Sequence, residues 1–182
     1  GGMVLDWGIH LLDQALRIGE GRKLISVYAE LTNVTNEECD DGFRVTRIFE
    51  GDLSMYVEVT TSNFIELPRW YILGENGSAV INDWDLNGEI VKVSDWENRD
   101  AVPILAGVGL TKTMAPRTDD TIKHYPLPKV DSSWTQFYEN VFAALRGEEE
   151  QLITHDQQRR LLKLVDAIFE SGNENKVVFF DK

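Results

Sequence analysis

Apolar positions along this chain follow two different periods. Leu5, Ile9, Leu12 and Leu16 recur at helical spacing, and Gly19 and Gly21 close that run. The period then drops to two. Ile25, Val27, Ala29 and Leu31 fall on one side of a strand, with Ser26, Tyr28, Glu30 and Thr32 on the other. Phe43, Val45 and Phe49 alternate with Arg44, Thr46 and Glu50. Leu53, Met55, Val57 and Val59 alternate with Ser54, Tyr56, Glu58 and Thr60. Successive side chains of a strand point to opposite faces, so this alternation predicts an antiparallel sheet with one buried face. Residues 69–73 and 79–82 flank Glu75-Asn76-Gly77, and 89–94 follow Asn87-Gly88. Asn-Gly predicts a hairpin because both residues tolerate positive φ.

Residues 95–130 hold four of the five prolines and are expected to be irregular. Within them, 121–125 read as a strand, while 101–110 have no clear period and fit a surface connection or a functional segment equally. Trp134, Phe137, Tyr138, Val141, Phe142 and Leu145 form a wide helical stripe, capped by Ser133 with Gln136 and ended at Gly147. Thr154 with Gln157 caps a last helix whose stripe is Leu161, Leu164, Val165 and Ile168, with Gly172 as its stop. Residues 176–180 read as a final buried strand. Helices before and after a run of strands predict an α+β fold: a mostly antiparallel, open-faced sheet with helices packed on one face.

Composition narrows the function classes. The 182 residues are 42% hydrophobic and 27% charged, which suits a globular domain. No apolar run is long enough for a bilayer, so no membrane partner is expected. A net charge of −13 argues against nucleic acid, whose phosphates require clustered Lys and Arg. Cys39 is the single cysteine, which excludes an internal disulfide and a cysteine zinc site and predicts a reducing, cytoplasmic setting. Asn33-Val34-Thr35 and Asn76-Gly77-Ser78 match the glycosylation pattern by chance on that view. The opening GGMVLDWGIHLLD lacks the features of a signal peptide and reads as the interior of a longer protein.

Chemistry concentrates in that opening. Asp6, His10 and Asp13 stand at i, i+4 and i+7, on one side of a helix beside its apolar stripe. That side is either plain surface or a proton-transfer site, since a carboxylate one turn away favours and orients a charged imidazole. The trio is also a conceivable metal set, which would suit a metal-dependent hydrolase. Three ligands over two turns span roughly 10 Å, too long for one ion, so no metal is expected. Residues 83–90 copy the first eight positions of an EF-hand loop, but Ser94 stands where the bidentate Glu belongs. A hairpin without calcium is expected there. His155 reads as surface and His124 has no evident partner. Trp70, Trp84 and Trp96 suit either a sugar-stacking surface or a core. The chain carries no Gly-rich dinucleotide turn and no phosphate loop, so no cofactor-binding residues are expected in it.

Gly1-Gly2-x-x-x-Asp6-x-Gly8-x-His10-x-x-Asp13 resembles the signature of the glucose–fructose oxidoreductase / inositol dehydrogenase / MocA family. Arg69-Trp-Tyr-Ile-Leu-Gly74-Glu-Asn-Gly77-Ser-Ala-Val-Ile is similar to the family's strand, turn and strand. Phe137-Tyr138-x-Asn140 through Arg146-Gly147 resembles its penultimate helix, and Ile153-Thr154 with 161–171 resembles its last. Residues 95–130 have no counterpart. The resemblance implies that 1–182 is a single C-terminal domain for substrate binding and oligomerisation, with the Rossmann domain and the first strand of the C-terminal domain upstream. It implies NAD or NADP, bound mainly by the absent half, and a sugar, cyclitol or related polyol as substrate. His10 becomes the acid/base, Asp6 its polar partner or a substrate ligand, and Asp13 structural. The partner lysine, from a Glu-Lys-Pro motif, would lie upstream, so this chain alone is expected to be inactive. A homo-oligomer through the sheet is implied as well. A non-catalytic binding or assembly module of the same fold remains the alternative.

Overall fold

The computed structural model describes residues 1–97, 104–111 and 117–180. They form two compact units, Gly1–Phe64 with Ser133–Lys182, and Ile65–Ser132. The first opens with a π-helical turn, Val4–Gly8, that runs into α1 (Ile9–Ile18). Then come β1 (Leu24–Thr32), β2 (Gly42–Phe49) and β3 (Ser54–Thr60). In the second unit lie β4 (Trp70–Gly74), β5 (Gly77–Ile81), β6 (Gly88–Val93), the short pair β7 (Ile104–Ala106) and β8 (Gly109–Thr111), and β9 (Ile122–Pro126). The first unit ends with α2 (Trp134–Leu145), α3 (His155–Glu174) and β10 (Val178–Phe179). The α+β expectation holds. The ladders are antiparallel throughout and divide into a sheet of order β10-β1-β2-β3, a sheet of order β4-β5-β6-β9, and the β7-β8 pair.

In the first unit, α1 and α3 cover the inner face of the sheet. Leu12, Leu16, Leu164 and Ile168 meet Val27, Phe43, Val45 and Phe49 in one core. The outer face is polar, where Arg44 Nε donates to Glu58 at 2.9 Å and the Tyr56 hydroxyl donates to the same carboxylate at 2.8 Å.

Several local expectations change. The buried face of the first helix is Val4, Gly8, Leu12, Ala15 and Leu16, and Leu5 is exposed, because the π turn inserts a residue ahead of α1. In β1 the register against β2 shifts between Leu24 and Ser26. That bulge turns Ile25 outward while Val27 and Ala29 stay inside. Arg47 continues the inner row of Phe43, Val45 and Phe49, a position the alternation reading passed over.

The caps and ends of the helices also differ in part. Ser133 caps α2 by accepting from Thr135 N, not through a box with Gln136. The Thr154–Gln157 box forms in both directions, at 3.2 and 2.9 Å. Helix α3 does not stop at Gly172 but at Asn175, whose left-handed φ of 50° ends it. Gly172 serves packing instead: a Cβ there would lie 2.5 Å from Leu31 Cγ. Residues 176–180 give only the two-residue β10, an edge strand with Phe179 exposed rather than a buried one. Its shortness leaves the Ala29 N–H to be taken up by Ser171 Oγ at 2.8 Å. Helix α2 buries Asn140 and Ala143, while Trp134, Tyr138 and Phe142 of its stripe are exposed.

In the second unit both hairpins form, but not through positive φ at Asn-Gly. Gly77 and Gly88 permit close strand approach: a Cβ would lie 2.3 Å from Val91 O and 2.0 Å from Val80 O respectively. Leu86 carries the positive φ, at 60°. The expected strand at 121–125 is β9, which begins one residue later at the edge beside β6. Part of 101–110 forms the β7-β8 hairpin, and 101–103 lie outside the described residues. Thr121 is the one buried side chain among the described residues of this unit.

Candidate functional site

The first four N–H groups of a helix have no intrahelical acceptor. Here no side chain at Met3 caps the run. Instead the loop between β1 and β2 reaches it. Met3 N donates to Asp40 O at 3.0 Å, and Val4 N donates to Asp40 Oδ2 at 2.8 Å. Asp6 N donates to Gly2 O at 3.0 Å, and Gly8 N reaches back five residues to Met3 O at 2.7 Å, closing the π turn. Gly8 lies on the Phe43 ring, where a Cβ would come within 2.6 Å of a ring carbon. These contacts seat Val4, Gly8 and Leu12 inward and leave Asp6 and His10 exposed on the opposite side.

The structure thus places Asp6 and His10 on one exposed side of one helical run. It does not join them: neither side chain has a hydrogen-bond partner among the described residues. Contacts of this kind commonly tighten when substrate binds. Asp13 is drawn away from both by Arg17, whose Nε lies 3.1 Å from its carboxylate. Among the described residues no three His, Cys, Asp or Glu side chains converge on a metal position.

The β1–β2 loop is itself built on a carboxylate. Asp41 accepts from Thr35 N, Thr35 Oγ1 and Thr32 Oγ1. The backbone N–H groups of Thr35 and Val34 are the main cause that pulls its pKa down to about 2. Asp40 and Asp41 escaped the sequence reading. The visible signal was two adjacent acids entering a strand, and nothing in the spacing tied them to residues 2–4.

The other candidates lie outside that helical run. His124 Nδ1 lies 2.7 Å from Glu89 Oε2, which raises its pKa, and the pairing follows only from the β6–β9 register. His155 is exposed in the first turn of α3. Trp84 and Trp96 are surface side chains, each with a guanidinium over its ring, from Arg69 at 3.6 Å and Arg117 at 4.7 Å. Trp70 is half-buried. In the 82–87 turn, Asp83 accepts from Asn87 N and Nδ2, so two of the would-be calcium ligands are bonded to each other.

Residues 1–80 match the model of the GFO/IDH/MocA C-terminal domain. Over these residues the chain is similar to that family's C-terminal domain. The NAD-binding protein from Listeria innocua is 42% identical, superposes with a TM-score of 0.91, and matches 99% of this chain and 52% of its own. The yvaA protein of Bacillus subtilis matches the whole chain and 52% of its own at 17% identity, with a TM-score of 0.74. The WlbA dehydrogenase from Bordetella pertussis, solved with NADH and UDP-GlcNAcA, matches the whole chain and 46% of its own at 19% identity, with a TM-score of 0.63. The last two likenesses establish the fold. No curated protein matches the chain. The chain spans about half the length of the solved structures it resembles.

Proposed function

We propose that residues 1–182 are the substrate-side half of an NAD(P)-dependent oxidoreductase that acts on a hydroxyl of a sugar, cyclitol or related polyol. The joint exposure of Asp6 and His10 on the family-matched helix carries this reading. The name of the Listeria relative and the NADH and sugar nucleotide held by WlbA support the cofactor and substrate classes. The free thiol of Cys39 suits a cytoplasmic protein, and no described helix is long and apolar enough to cross a membrane.

His10 takes the proton of the substrate hydroxyl, and Asp6 orients the imidazole or holds a neighbouring hydroxyl. The cofactor, when bound, accepts the hydride from the same carbon. Among the described residues no helix opens on a Gly-x-Gly-x-x-Gly turn: the first run follows Gly1-Gly2-Met3, and α2 and α3 begin at Ser133 and Thr154 caps. On this reading the pyrophosphate sits on the Rossmann domain that the family resemblance implies, with the lysine that would complete proton transfer. Titrating NADH and NADPH by their fluorescence tests this division. The full-length protein should bind one of them and turn over a member of a sugar and polyol panel, whereas the 182-residue chain should do neither. Binding of NADH or NADPH by this chain alone, or of neither by the full-length protein, overturns the reading.

The same proposal makes the sheet of the second unit an interface between copies. Tyr71, Ile72, Leu73 and Tyr125 are exposed on β4 and β9, and those strands are the sheet's two edges. Sedimentation should show self-association that deepens with concentration. A monomer over a hundredfold range of concentration would sink this part.

A further inference from the structure

We propose that Asp40 is the positioning residue of the helix bearing Asp6 and His10, setting which way Asp6 faces relative to His10. The inference rests on the function proposed above for that pair. Asp40 is nearly buried and lies 36 residues from the helix start, yet it satisfies two of the otherwise orphaned donors, Met3 N with its carbonyl and Val4 N with its carboxylate. A carboxylate at this end is also favoured by the helix dipole. Asp40 is held from its own side. Asp41 N donates to Thr32 O at 2.9 Å, Thr61 N donates to Asp41 O at 3.1 Å, and the Asp41 carboxylate gathers Thr32 and Thr35. The anchor is thereby tied to the ends of β1 and β3.

Gly2 fits this reading independently. Its φ is +98°, and a Cβ would fall 2.0 Å from Asp40 Oδ1. Only glycine leaves the carboxylate in place. With the start of the run fixed by Asp40 and Gly8 fixed on Phe43, five residues occupy the turn between Met3 O and Gly8 N where an α-helix would use four. An α-helix advances about 100° per residue. Relaxing the π turn to α would change the angle between Asp6 and His10, although the i, i+4 spacing keeps both on one side of an α-helix. Asp40 touches neither substrate nor cofactor in this scheme and acts through the turn.

The test uses the full-length protein and two readouts. In Asp40→Ala, amide exchange at residues 3–8 should quicken roughly 5–30-fold, the factor expected for losing a cap, while amides in the core of α3 keep their rates. Asp40→Asn retains an acceptor oxygen and should restore most of the protection. Gly2→Ala, which displaces the carboxylate, should copy Asp40→Ala. On the substrate found by the panel, Asp40→Ala should lower kcat tenfold or more with KM little changed, and Asp40→Asn should rescue it. Unchanged exchange at 3–8, uniform quickening through α1 and α3, or selective quickening with unchanged kcat each overturn the proposal. His10→Ala run in parallel separates the two ideas: an unchanged kcat there defeats the catalytic reading of the helix, and the exchange data still judge the anchor.

Discussion

His10→Ala in the full-length protein is expected to cut kcat by about 10²-fold or more, the scale on which a positioned acid/base contributes. KM should move far less, because the lost interaction develops as the hydroxyl proton leaves. The side chain is exposed on the helix, with the packing carried by Val4, Gly8 and Leu12 on the other side. Unfolding midpoints of the variant should therefore match the parent, which separates a chemical effect from a structural one. Asp6→Asn keeps the size and hydrogen-bonding ability of the side chain and removes its charge. A loss smaller than that of His10→Ala indicates that Asp6 only orients the imidazole; an equal or larger loss, with KM raised, indicates that it also holds substrate. Stopped-flow or steady-state measurement of NAD(P)H formation reads both. An unchanged kcat in His10→Ala would leave the family resemblance standing and remove this helix from catalysis.

The parts of this protein that were legible in the sequence are those fixed by neighbours a few residues away. The two-residue alternation of 43–49 and 53–59 gave β2 and β3, and Thr154 with Gln157 gave the start of α3, because each rests on local periodicity or capping. What escaped depends on contacts across the fold. The inward row of β2 looked complete with Phe43, Val45 and Phe49, and only the ladder shows that Arg47 belongs to it. Gly172 looked like a helix stop because nothing local reveals that Leu31 lies against it. Gly77 and Gly88 looked like turn residues, although what they meet is a carbonyl on the neighbouring strand. The candidate pair divides the same way. Asp6 and His10 were visible from spacing and from a family motif. The π turn that sets their relative angle, and the Asp40 that holds it, arise from a hydrogen bond closing a loop of 36 residues.

Arg47→Met is expected to make the protein more stable. The Arg47 side chain is fully buried on the inner face of β2, between Val27 of β1 and Met55 of β3. Its Nε, Nη1 and Nη2 have no hydrogen-bond partner among the described residues. Burial pulls its pKa down to about 10, which leaves the guanidinium charged at pH 7. A desolvated charge without a partner costs several kcal/mol, whereas methionine offers a similar unbranched stem with no charge to desolvate. Exchanging buried ionic groups for apolar ones of like volume typically gains about 1–4 kcal/mol. Urea unfolding of the 182-residue chain should show a higher midpoint with an unchanged slope. At this chain length each kcal/mol corresponds to roughly 2–4 °C in melting temperature. Arg47→Ala removes the same charge but leaves a cavity, so its gain should be smaller or reversed. Arg47→Glu should destabilise, since it exchanges one buried charge for another in the same apolar setting. A loss of 1 kcal/mol or more in Arg47→Met would refute the prediction, because it would require an acceptor for the guanidinium beyond the described residues.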